Sequence, residues 1–177
     1  LPALRATIVA DLTKADHLPD NQFDCIICTQ TLQVIYDAHA ALATLVRILK
    51  PGGVLLLTTS GLGMLSRYDV ERWGEYWRFS SMSVQRMLEE LVPAGAIQVH
   101  TYGNVLAATA FLQGMAAEEL TPNELAVPDP QYQLIIAARV AKPRPPASSV
   151  DGSCPEHGSR HRLRRPSVAA LRSSSAA

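Results

Sequence analysis

The sequence predicts an α/β domain, a mostly parallel sheet with helices on both faces. Three observations carry that prediction. Residues 23–28, FDCIIC, form a near-continuous apolar run of strand length, the composition of a parallel strand covered on both faces. Residues 38–49 put Ala38, Ala41, Leu42, Leu45, Val46 and Leu49 on one face of a helix, at i, i+3, i+4, i+7 spacing. Pro51, Gly52 and Gly53 then stop that helix, and VLLLTT (54–59) begins a second apolar strand. Strand, helix and strand in this order imply a right-handed parallel crossover.

The elements follow in order. ATIVA (6–10) reads as a short buried strand ending in Asp11, and DHLPDNQ (16–22) as a polar loop with turn-forming Pro, Asp and Asn. Asp37 is placed to cap the helix at 38–49, while Arg47 and Lys50 sit near the negative end of its dipole. Residues 61–79, GLGMLSRYDVERWGEYWRF, are loop-like, aromatic and charged. Ser80 caps a helix at 81–92 whose inner face is Val84, Met87, Leu88 and Leu91. AIQVH (96–100) alternates as a strand should, NVLAATAFLQGMAAEEL (104–120) predicts a helix, and YQLIIAARV (132–140) a final strand.

From residue 142 the composition turns to Pro, Ser, Arg and Ala, which cannot build a core. The expected division is a domain at 1–141 followed by a disordered basic tail at 142–177. The formal net charge is zero, but residues 1–141 hold nine Lys/Arg against fourteen Asp/Glu, and 142–177 hold seven against two. The neutrality therefore hides two segments of opposite sign. No run approaches the roughly 18 apolar residues of a membrane span. Three cysteines make no disulfide framework, so a reduced, cytoplasmic setting is expected. The chain opens Leu-Pro-Ala-Leu rather than with Met, and is expected to be a fragment of something longer.

Few constellations carry chemistry. Cys25 and Cys28 are three apart in a strand, so their sulfurs face opposite ways and cannot converge on a metal or form a redox pair. Cys154, His157 and His161 have ligand-like spacing but lie in the tail without a fourth partner, and no metal is expected. GLG (61–63) lacks the spacing of a phosphate loop. The basic run RHRLRR (160–165) reads as a solvated end, so no specific nucleic-acid partner is expected. No catalytic triad or carboxylate pair emerges. Residues 67–79 hold both tryptophans, just after a buried strand, where open α/β sheets bind ligands. An aromatic clamp that pins the loop to the domain accounts for them equally well.

The order of VADLTKADHLPDNQFDCIICTQTLQVIYD and ALATLVRILKPGGVLLLTT closely resembles the middle of class I S-adenosylmethionine-dependent methyltransferases. In that Rossmann-like family an acidic residue follows the third strand, an "lp…fD" loop leads into the fourth, and an R-x-L-K-P-G-G turn precedes the fifth. The resemblance covers about residues 6–60; WGEYWRFSSMSVQRMLEE and DPQYQLIIAARVAKP look like later segments of a bacterial branch linked with glycan biosynthesis. It implies S-adenosylmethionine as cofactor and a small-molecule or glycan-type acceptor. Asp11 falls where the family's acid meets the adenine amino group, with Leu12 beside the ring. Thr29 and Gln30 fall where the cofactor's methionine end lies, and Thr31 where the acceptor is faced. Asp69, Tyr76 and Arg78 are the candidate acceptor contacts, and no residue matches a catalytic base. Many such enzymes work mainly by positioning.

The family's strand order is 3-2-1-4-5-7-6, and its Gly-rich loop after the first strand has no counterpart here. The first strands are therefore expected to be missing, with FDCIIC left as an apolar edge. The stretch as given is expected to bind cofactor weakly and to be inactive. Two other readings stay open: a non-catalytic methyltransferase-like binding module, and a nicotinamide-dependent dehydrogenase with the same layered plan.

Overall fold

A computed structural model describes residues 8–146 and the backbone of Val168–Ala170. In chain order the elements are β1 (Phe23–Thr29), α1 (Ala38–Ile48), β2 (Leu49–Ser60), α2 (Arg67–Arg72), α3 (Ser81–Glu89), β3 (Ile97–Tyr102), α4 (Val105–Leu112), α5 (Pro122–Leu125), β4 (Ile135–Ala141) and β5 (Val168–Ala170). They form one sheet in the order β3-β4-β2-β1-β5. β1 pairs in parallel with β2 and β5, whereas β4 runs antiparallel to both β2 and β3. Setting β5 aside, this is the 6-7-5-4 part of the expected order.

As expected, the sheet is mostly parallel: β1, β2, β3 and β5 run the same way and β4 alone is reversed, a direction that the apolar pattern of 132–140 does not signal. Helical cover, expected on both faces, is found on one face among the described residues. On that face Ile26, Leu55, Val140 and Ile97 lie in one row, and all are buried under α1 and α3. Leu42, Leu45, Ile48, Val84 and Leu88 complete this core at 0% exposure. On the other face Ile27, Leu56, Arg139 and Gln98 share a row, and Ile27 and Leu56 are 42% and 40% exposed. A continuous apolar run predicts burial on both sides, but only alternate residues obtain it here.

Caps fix the helix ends. The Asp37 carboxylate accepts from the Ala40 N–H at 2.9 Å, and Ser80 and Ser83 satisfy each other's backbone at the start of α3. The helix expected over 104–120 stops at Leu112, where Gly114 takes φ +75 just beyond the cap. The 61–79 stretch contains a short helix, α2, capped by Ser66. Residues 8–10 form no strand, and the remainder of the expected ATIVA strand lies outside the described residues.

The tail boundary shifts too. Lys142, expected to begin a disordered segment, is part of the domain: its ammonium donates to the carbonyls of Val46 (2.8 Å), Arg47 (3.1 Å) and Leu49 (2.7 Å). These carbonyls lie at the C-terminal end of α1, where the helix dipole favours a cation. Further along, Val168–Ala170 pairs with Cys25–Ile27, so the expected open edge of β1 is covered over three residues. The rest of the tail, including Cys154, His157 and His161, lies outside the described residues.

The two strand cysteines face opposite ways, as their spacing requires: Cys28 is buried and Cys25 half-buried. Burial pushes the Cys28 thiol up to about 11, against an ordinary value of 9.0. The folded state then keeps this proton when the unfolded chain loses it. Its contribution to stability is full below pH 9 and declines as pH rises toward 11. At pH 8, brief iodoacetamide treatment of native protein should alkylate Cys25 and spare Cys28, as read by peptide mass spectrometry. Equal labelling of the two would contradict the burial argument.

Candidate functional site

The site begins with the stretch that joins α1 to β2. Arg47 aims its guanidinium back at the loop preceding β1, donating to Leu18 O (2.6 Å), Ala15 O (2.7 Å) and Asp20 Oδ1 (2.6 Å). The backbone adds Asn21 N to Arg47 O at 3.1 Å and Gln22 N to Ile48 O at 2.7 Å. Lys50 grips both carboxylate oxygens of Asp24 at 3.0 and 2.8 Å. Gly52 takes φ +80, and a Cβ at Gly53 would press on the carbonyls of Lys50 and Asp24. Arg47, Ile48 and Lys50 thus fix the path of residues 15–24.

Asp11, just ahead of that path, lies in the wall of an open cavity of about 430 Å³. Asp11, Leu12 and Lys14 form one side, Val34 to Asp37 a second, and Trp73 and Tyr76 a third. Asp11 is held in a tight turn: the Thr13 N–H and hydroxyl both donate to its Oδ1, at 2.9 and 2.8 Å. The backbone N–H of Thr13 is the main reason its carboxyl titrates below the usual range, with the Thr13 hydroxyl and Lys14 adding to it against some desolvation. Asp11 is therefore a carboxylate at neutral pH. Its Oδ2 has no hydrogen-bond partner among the described residues and is left to receive a donor.

Beside the cavity, the end of β1 turns sharply. Gln30 takes φ 48, a left-handed conformation uncommon for a residue with a side chain. Its amide oxygen accepts from Gln33 Nε2 (3.0 Å) and Ser60 Oγ (2.7 Å), which joins the ends of β1 and β2. Buried Gln33 accepts from Thr59 through its side chain at 3.2 Å, and through its carbonyl from Tyr76 N at 2.8 Å. Trp77 Nε1 donates to Tyr36 O at 3.0 Å, and the Tyr36 and Tyr76 rings meet at 79° with centroids 5.4 Å apart. The 73–79 strap is thereby docked over the C-terminal end of β1, where open α/β sheets place their ligands.

Three of the residues expected from sequence therefore share one cavity: Asp11, Leu12 and Tyr76. Gln30 and Thr31 stand in the adjoining turn, Thr31 donating to Thr29 O at 2.9 Å. Thr29 instead faces the uncovered side of the sheet, lining a small groove with Thr58, His100 and Arg139. Arg78 pairs with the nearly buried Glu75 at 2.8 Å and donates to the carbonyls of Gly63, Met64 and Trp77, so it fastens the strap to the preceding loop. Asp69 lies in the first turn of α2, away from the cavity lining. Sequence reasoning missed Lys14, Tyr36 and Gln33 and read Asp37 only as a cap. The available signal was an exposed Tyr beside an N-cap, close behind a parallel strand.

Sheet order and crossover give a Rossmann-like α/β fold. The family described as a methyltransferase domain matches residues 3–57. Ubiquinone/menaquinone biosynthesis C-methyltransferase UbiE of Haemophilus ducreyi is 47% identical over 45 residues, 24% of this chain and 17% of that protein. Its counterpart from Pasteurella multocida is 49% identical over 74 residues, 42% of this chain and 26% of that protein. The chain thus spans about a sixth to a quarter of the length of these relatives. Among solved structures, a SAM-dependent methyltransferase from Archaeoglobus fulgidus aligns over 76% of this chain and 66% of its own, with 11% identity and a TM-score of 0.48. Phosphoethanolamine N-methyltransferase 2 of Haemonchus contortus, in complex with S-adenosyl-L-methionine, aligns over 72% of this chain and 35% of its own, with 16% identity and a TM-score of 0.45.

Proposed function

We propose that the domain binds S-adenosylmethionine and serves methyl transfer from it to a small-molecule or glycan-type acceptor, in a cytoplasmic setting. The observation that carries this reading is the cavity that joins Asp11 and Leu12 to the 73–79 strap, within a chain matched to the methyltransferase domain over residues 3–57.

The lining suits an adenosyl group. The free Asp11 oxygen accepts from an exocyclic amine, while buried Leu12 with Val34 and Ile35 offers an apolar surface to a planar base. When bound, the cofactor supplies an activated methyl group on a sulfonium. The chain's task is then to hold and orient. Gln30 and Thr31 are the proposed contacts for the cofactor's methionine end and for the acceptor, with Tyr76 as an acceptor contact; Thr29, Asp69 and Arg78 stand outside the cavity lining and are given no contact. No side chain is assigned as a base, so rate enhancement in this account comes from alignment of the reacting groups.

Ultraviolet cross-linking of methyl-labelled S-adenosylmethionine, followed by peptide mapping, tests the reading. Label is expected in peptides containing Asp11–Lys14 or Trp73–Tyr76. Label confined to α4 and α5, or none above a heat-denatured control, would refute it.

A further inference from the structure

The cavity has a feature that binding an adenine does not require. Tyr36 and Tyr76 stand nearly at right angles at its rim, 72% and 51% exposed, with Trp73 also in the lining. Exposed aromatic side chains that meet as perpendicular walls present the electron-rich faces that attract a cation. Two carboxylates stand in the same lining. Asp11 commits Oδ1 to Thr13, and Asp37 commits Oδ1 to the Ala40 N–H. Each keeps Oδ2 without a hydrogen-bond partner among the described residues, and neither forms an ion pair there. Lys14 is the single cation in the lining, so the site has a net charge of −1.

We propose that this corner binds an alkylated onium group, with Tyr36 and Tyr76 as walls and Asp37 as the balancing charge. The assignment deepens the methyl-transfer reading and rests on it for its biological meaning: the onium is either an alkylated amine of the acceptor or the sulfonium of the cofactor. A bulky, weakly hydrated onium loses little on leaving water and gains from both ring faces. A neutral group of the same shape gains only the apolar contact. No bond is made or broken in this step.

Choline and its neutral carbon isostere dimethylbutanol are the probes, titrated into the whole chain and followed by tryptophan fluorescence and ligand-observed NMR. Choline should bind at least about fivefold more tightly than the isostere, and Tyr36→Ala should remove most of that preference. Tyr36→Phe should retain it. Asp37→Asn, which still caps α1, should weaken choline and leave the isostere unchanged. Equal binding of the two probes, no binding of either, or a choline preference that survives Tyr36→Ala would overturn the proposal. Circular dichroism of the variants excludes unfolding as the cause.

A second titration assigns the source. If S-adenosylmethionine displaces choline and S-adenosylhomocysteine does not, the corner holds the sulfonium. If choline binds alongside S-adenosylmethionine, the corner holds an acceptor amine. Choline binding without any cofactor binding would refute the methyl-transfer reading while leaving the cage intact, so the two failures are distinguishable.

Discussion

Replacing Arg47 by alanine should lower the unfolding free energy by about 2–3 kcal/mol, among the largest losses expected from a partly exposed side chain. Its guanidinium donates to two backbone carbonyls, Ala15 and Leu18, and to the Asp20 carboxylate. Removing it takes the guanidinium from Leu18 O and leaves Ala15 O with the Leu18 N–H alone, beside the core residues Ala15 and Leu18, which are 1% and 6% exposed. Arg47→Lys should recover less than half, because an ammonium cannot span three acceptors in a planar fork. The loss should also be local in kind: hydrogen exchange should accelerate over residues 12–22 more than within β2. Urea unfolding with exchange mass spectrometry measures both. A destabilisation below about 0.5 kcal/mol, the range of ordinary surface substitutions, would mean that Arg47 is not the loop's anchor.

The second large effect concerns binding. Asp11→Ala should weaken S-adenosylmethionine about tenfold or more by calorimetry, since truncating a charged hydrogen-bond acceptor costs about 1.5–3 kcal/mol. Asp11→Asn should fall between, keeping the turn to Thr13 but losing the charge. The Thr13 N–H and hydroxyl hold the Asp11 carboxyl below its ordinary range, so this contact is fully present at neutral pH. It is lost only as pH falls through that depressed value, and affinity should stay flat from about pH 5 to pH 8 on its account. An unchanged affinity in Asp11→Ala would remove this residue from the site. The two predictions are linked, because Arg47 holds the loop that follows Asp11: Arg47→Ala should weaken cofactor binding as well, by a smaller factor.

Local chemistry was legible in the sequence wherever one residue type does one job. Asp37 and Ser80 cap as expected, but α1 ends at Ile48 and Leu49 already opens β2, so Pro51 and Gly52 lie within the strand rather than stopping the helix. Asp24 and Lys50 lie 26 residues apart, and their pairing ties the second residue of β1 to the second residue of β2. Strand direction was not legible, because a run such as IIAARV reads alike parallel or antiparallel. Nor was the role of Lys142, whose Pro- and Arg-rich surroundings disguise a side chain that closes the end of α1. The cavity was half legible. Asp11 and Tyr76 could be named from motif and composition, but Tyr36 and Gln33 join them through contacts across 40 or more residues and through a left-handed Gln30. Arg78 shows the converse error: a charged residue in the right segment attracts a ligand assignment, yet most of its donors serve the loop it fastens.

Those contacts give the 73–79 strap its dual character. The same stretch that reads as a structural clamp is held by Glu75, Arg78 and Trp77, while Trp73 and Tyr76 remain turned to the cavity. Clamp and site are therefore different residues of one segment, not rival descriptions of it.

The central claim is that the cofactor lies at the C-terminal end of β1, between the Asp11 turn and the strap. Amide NMR of the isotope-labelled chain, titrated with S-adenosylhomocysteine at concentrations on the order of its millimolar solubility, tests this most directly and tolerates weak binding. Shifts should concentrate at residues 11–14, 30–36 and 76, and should shrink in Asp11→Ala. An absence of saturable shifts, or shifts gathered instead on α4 and the residues around Thr29 and Arg139, would contradict it.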